Sequence, residues 1–152
     1  MYSTDQVRSF ITDHFVPLRV HVRENAEAWR ELSARYDVQW TPTILLVDAD
    51  GIERHRIEGF LPVDDFMSQL ALGEAHAAFK RKDYTTAEPL FRGVADRFGQ
   101  SDAASEALYW AGVSKYRAVN DPRALADAAA LLRERYPSST WTTKASVWEK
   151  PG

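Results

Sequence analysis

The sequence predicts an α/β region over residues 1–70 joined to an all-α region over residues 71–152. Three observations carry this. Residues 36–60 set Pro42 directly before the apolar run Thr43-Ile44-Leu45-Leu46-Val47, then give an Asp50-Gly51 turn, a second strand-like run and Gly59. Upstream of that stretch, helical and strand-like periodicities alternate. From about Ala71 only helical patterns remain, alanine becomes frequent, and two segments resemble each other.

The elements follow in order. Ser3 to Gln6 has capping-box spacing, and Val7, Phe10, Ile11 and Phe15 then recur at helical intervals. Val16-Pro17-Leu18-Arg19-Val20-His21-Val22 alternates apolar and polar residues, which predicts a strand with one buried face. Asn25 is placed to cap a second helix striped by Ala28, Trp29, Leu32 and Tyr36. Thr43 to Val47 is apolar throughout, as in a strand buried on both faces. Asp48-Ala49-Asp50-Gly51 turns into a strand over Ile52 to Ile57, making an antiparallel hairpin. Pro62-Val63-Asp64-Asp65 opens the next helix, with proline and acids in its first turn.

In the second half, Ala71-Leu72-Gly73 leads to Tyr84, Ala87, Phe91 and Phe98-Gly99, and Trp110-Ala111-Gly112 leads to Tyr116, Leu125, Ala129 and Tyr136-Pro137. Gly73 to Gly112 is 39 positions and Phe98 to Tyr136 is 38, a period in the range of helical-hairpin solenoids. Turns are expected at Lys82-Asp83 and at Asn120-Asp121-Pro122, and a last short helix over Trp141 to Trp148.

Composition narrows the function. Of 152 residues, 45% are hydrophobic and 27% charged, the balance of a globular protein. A net charge of −3 gives no footprint for nucleic acid. The longest apolar run, Ile44 to Val47, is too short for a bilayer, so no membrane partner is expected. The N-terminus lacks the basic and apolar regions of a signal peptide, which points to the cytoplasm. There is no cysteine, so these residues hold no thiolate nucleophile, disulfide or CxxC motif.

The order helix, strand, helix, Pro-led strand, hairpin strand, helix, with Trp40-Thr41-Pro42-Thr43, Asp50-Gly51 and Gly59-Phe60, resembles the C-terminal two-thirds of a thioredoxin-like domain. The resemblance implies a cis Pro42 and a residue before it, Thr41, whose backbone meets an extended substrate peptide. It also implies that the family's first strand, its central strand and its CxxC helix start belong before Met1. The absent central strand lies, in that family, between the strands matched by Val16–Val22 and Thr43–Val47. Three arrangements answer the gap: a longer natural chain carrying the cysteines, a second copy completing the sheet across a homodimer, or closure into a smaller sheet. The second half resembles tetratricopeptide-like repeats, as found in bacterial proteins where they follow a thioredoxin-like domain, which implies a scaffold for protein contacts.

The candidate site is therefore Trp40, Thr41, Pro42 and Thr43, binding an extended peptide or protein segment without redox chemistry. The alternative is the C-terminal part of a thiol-disulfide oxidoreductase whose CxxC lies upstream. A second candidate is an aromatic-lined groove at Tyr109, Trp110 and Tyr116, set against ordinary core packing. No cofactor or metal is expected: His14, His21, His55 and His76 share no ligand spacing, and His21 and His55 fall on strand positions expected to face solvent. No Gly-x-Ser-x-Gly elbow or phosphate loop occurs. Asp48 and Asp50 read as turn residues, and the basic runs Arg54-His55-Arg56 and Lys80-Arg81-Lys82 as solvated faces.

Overall fold

In a computed structural model, which describes residues 4–149, two helices lead to a two-stranded hairpin, and the rest is helical. Helix α1 (Asp5–His14) starts where the Thr4 hydroxyl accepts the N–H of Val7 at 3.4 Å. Ser3, the expected start of the capping box, lies outside the described residues. Helix α2 (Ala26–Arg35) is followed by strands β1 (Thr43–Val47) and β2 (Glu53–Glu58), paired antiparallel with a register shift at Leu46/Val47. Helix α3 (Val63–Lys80) then crosses from the hairpin into the helical region.

That region is built of helical hairpins. α3 turns at Lys82, which takes a positive φ, into α4 (Tyr84–Arg97), where the Asp83 carboxylate accepts the Thr86 N–H. α5 (Ala103–Val119) ends on left-handed Asn120, and Asp121 then receives the Arg123 N–H at 3.0 Å to start α6 (Arg123–Arg135). α7 (Thr140–Ala145) and a 3-10 turn (Ser146–Trp148) cover the end.

Two cores result. Val7, Phe10, Leu46, Ile57, Phe66, Met67 and Leu70 close one between α1, the hairpin and α3. Leu72, Ala75, Phe91, Val94, Leu108 and Leu132 belong to the second, within the helical region. Residues 70 and 71 lie inside α3, and core membership changes hands there while the helix runs on. The close fit of α3 to the hairpin depends on Gly73: a Cβ there would lie 2.6 Å from Leu46 Cδ2 and 2.8 Å from His55 Cβ.

Two strand expectations need correction. Val16–Val22 forms no strand, with Val16 98% and Leu18 80% exposed. Alternation describes side chains only; a strand also needs a neighbour for its backbone groups, and none lies beside this segment among the described residues. β1 is likewise not buried on both faces. Leu46 is buried against α3, but Val47 is exposed, and no residue of α2 joins the core that buries Leu46.

Candidate functional site

The register of the hairpin decides which backbone groups are free. Gly59 N–H donates to the Pro42 carbonyl at 2.8 Å, and Asp48 N–H to the Ile52 carbonyl at 3.0 Å. Between these points alternate residues bond to β2, so Ile44 and Leu46 face inward along the ladder. The main-chain groups of Thr43, Leu45 and Val47 then point to the other edge, where no strand lies among the described residues. An open edge of this kind is a template for another strand.

Trp40, Thr41, Pro42 and Thr43 stand together at the head of that edge. Trp40 is 68% exposed. The Thr43 hydroxyl donates to the Trp40 carbonyl at 2.7 Å, tying the turn onto the strand, and the Thr41–Pro42 peptide bond is cis. Behind the turn, the Arg56 guanidinium donates to the carbonyls of Tyr36 and of Asp37 (3.2 Å), while Glu53 (2.7 and 2.8 Å) and Glu58 (3.3 Å) hold it in place. The Tyr36 hydroxyl donates to the Gly51 carbonyl at 2.9 Å. The chain entering the site is thus tied to β2 through Arg56 and to the hairpin turn through Gly51.

Residues 1–73 match the thioredoxin-like domain family. The match takes in α1, α2 and the hairpin, and ends at the glycine where α3 meets the sheet. No curated protein and no solved structure matches the chain.

Within the thioredoxin-like region the acidic turn has a structural use. The Asp48 carboxylate accepts the N–H groups of Asp50 (3.0 Å) and Ile52 (3.1 Å) and receives Arg54 Nε at 2.6 Å. Arg54 and Arg56 are consequently part-buried and paired, which corrects their reading as a solvated face; Lys80, Arg81 and Lys82 are exposed. No group of three or more His, Cys, Asp or Glu is placed to hold a metal among the described residues. No helix of the described residues is long and apolar enough to cross a membrane.

His55 also departs from expectation. It does not face solvent but α3, donating its Nε2–H to Gln69 Oε1 at 3.0 Å and stacking on His76 with ring centroids 6.0 Å apart. His76 in turn meets Glu106 Oε2 of α5 at 2.8 Å. This chain of polar contacts links the thioredoxin-like region to the helical one, and sequence reading missed it because the partners come from three distant elements. The nearest local signal is Gly73, the small residue that lets α3 lie on His55.

Burial pushes the His55 pKa down, with the neighbouring His76 adding to the effect and Gln69 opposing it. A histidine depressed below its ordinary value near 6.5 favours the folded state while neutral. That contribution is complete above the unfolded-state pKa and is lost as pH falls through and below it. Urea unfolding between about pH 7.5 and 5 is expected to show falling stability, with a smaller slope in His55→Gln. An unchanged slope in that variant rules the assignment out.

The aromatic candidates separate. Tyr109 and Trp110 are half-buried: Tyr109 stacks on Trp148 (4.5 Å) and meets Trp141 (5.1 Å), while Trp110 packs edge-on against Phe79 (5.1 Å) and His76 (5.6 Å). α7 and the 3-10 turn thus lie over this part of α5. Tyr116, farther along α5, is half-buried and joined to neither by a ring contact among the described residues.

Proposed function

We propose that this chain is a redox-inactive, cytoplasmic protein-interaction module that receives extended peptide or protein segments by strand addition at the open edge of β1. The supporting observation is the alternate, outward main chain of Thr43, Leu45 and Val47 beside the exposed Trp40. Thr41 and Pro42 would then carry the peptide-facing role that the thioredoxin-like resemblance implies for them. Backbone hydrogen bonds supply affinity in this mode, and side-chain pockets beside the strand supply preference. The chain divides, on this reading, into a thioredoxin-like unit (1–70) and tetratricopeptide-like hairpins (71–152). The second helices of the hairpins, α4 and α6, begin 39 positions apart, at Tyr84 and Arg123. Of the aromatic candidates, Tyr116 would belong to a second surface on those hairpins, while Tyr109 and Trp110 pack against the helical core.

The test is amide chemical-shift mapping with a synthetic peptide of alternating valine and threonine. The amides of Thr43, Leu45 and Val47 are expected to shift, those of Ile44 and Leu46 to move less, and Trp40→Ala to weaken binding by about ten-fold. Shifts absent from the edge would refute the reading.

A second reading is favoured by the same gap. Val16–Val22 and β1 both lack the neighbour that the family's central strand provides, as they would in the C-terminal part of a thiol-disulfide oxidoreductase whose cysteines lie upstream. Appending the upstream coding sequence and assaying insulin-disulfide reduction separates the two: activity in the longer chain supports the enzyme, and a longer chain without paired cysteines removes it.

A further inference from the structure

We infer that a second copy of this chain is the resident occupant of the open β1 edge, donating its Val16–His21 segment as the added strand in a reciprocal, two-fold exchange. The inference rests on the strand-addition reading of that edge and names the strand.

The backbone argument comes first. In an extended run Val16, Leu18 and Val20 present their main-chain groups on one edge, and Pro17, Arg19 and His21 on the other, up to the turn over residues 22–25. The second edge is compromised: Pro17 has no N–H, the His21 N–H already goes to the Asn25 side chain at 2.9 Å, and the His21 carbonyl accepts the Asn25 N–H at 2.9 Å. The first edge bonds to nothing among the described residues. It is intact and three residues long in alternate positions, matching in number the three outward residues of β1.

Charge selects the same pair. Residues 16–23 contain Arg19, His21 and Arg23 and no acid. Residues 37–50, which carry β1, contain Asp37, Asp48 and Asp50 and no base. Asp48 is engaged by Arg54, but Asp37 and Asp50 are exposed at the two ends of the edge. A basic strand on an acid-rimmed edge is the attractive combination.

Both halves sit on one chain yet do not pair within it. Their exchange between two copies is isologous, so each copy gives and receives once and the assembly closes. One added strand is a small interface, and reciprocity doubles it. A free peptide then competes with the second copy for the edge, so partner binding and self-association exclude each other.

Analytical ultracentrifugation of the 152-residue chain tests this. Over about 1–100 μM a reversible monomer–dimer equilibrium is expected. The exposed double variants R19E/R23E and D37K/D50K are each expected to weaken dimerisation by about ten-fold or more, since like charges then face each other. An equimolar mixture restores the dimer, because the acidic segment of one meets the basic edge of the other and the reverse pairing is also complementary. A wild-type chain that stays monomeric overturns the inference, and so does a dimer indifferent to both variants. The valine–threonine peptide separates the two failures. A monomer whose Thr43, Leu45 and Val47 amides shift with peptide keeps strand addition and loses the second copy; a monomer silent to peptide loses both.

Discussion

Truncating Phe91 to alanine is expected to lower the unfolding free energy by about 3–5 kcal/mol, read from the midpoint of a urea titration. Phe91 is fully buried in α4 and sits edge-on to His76 at 5.0 Å. It shares its core with Ala75, Ala78, Ala87, Ala107 and Ala111, small side chains with no rotamers to swing into a void, and its ring also meets Phe79 at 6.5 Å. The cavity would close only if α3 or α5 moved, and both are held at their other contacts, α3 by the sheet and α5 by α6 and α7. That places the cost toward the upper end of the range. Against a total stability on the order of 5–15 kcal/mol, the change removes about a fifth or more. A loss below about 1 kcal/mol would show that the helices collapse freely onto one another.

The second large effect is expected at Gly112, and its sign comes from two opposed terms. Alanine in a helix interior is favoured over glycine by about 1 kcal/mol. A Cβ at Gly112, however, would lie 2.4 Å from Ala128 Cβ and 3.5 Å from the Ala124 carbonyl oxygen. Ala128 is a methyl on the facing helix and cannot rotate away, so α5 and α6 would have to separate. Overpacking of this kind costs about 1–3 kcal/mol, and the clash outweighs the propensity gain. Gly112→Ala should therefore destabilise, and Gly112→Val more so. Gly93 is the control: it is exposed on α4 with nothing within 4 Å of a built Cβ, so Gly93→Ala should stabilise by roughly 1 kcal/mol. Parallel thermal melts of the two alanine variants moving in the same direction would contradict the packing of α5 on α6.

The helical half was legible in the sequence because its signals are local. Asp83 and Asp121 mark helix starts by bonding their own backbone, and Asn120 ends α5 in the left-handed region. The hairpin was legible for the same reason, since Asp48 and Gly51 make the turn between neighbouring residues. Val16–Val22 was misread because a strand is a relation between two segments, and periodicity reports only one of them. His55 was misread because β2 exposes alternate residues only where nothing covers them; α3, arriving through Gly73, covers that face. At the candidate site, Trp40 to Thr43 could be picked out from the proline and the strand that follows. The Arg56 clamp and the contact from His55 through His76 to Glu106 could not, since each joins elements far apart in the chain.

Helix α3 is one uninterrupted helix of 18 residues, roughly 27 Å long. Phe66, Met67 and Leu70 seat its first half against the hairpin, and Leu72, Ala75 and Ala78 seat its second half among the other helices. Nothing along it works as a tether. A partner that touches both the β1 edge and the hairpin surface would meet two sites at a fixed separation, and its second contact would form at an effective concentration set by that separation alone. A flexible linker would blur the distance and accept many partners. On the proposed reading, a rigid helix would make the two surfaces a ruler, and the spacing between a partner's binding segments would become part of what is recognised.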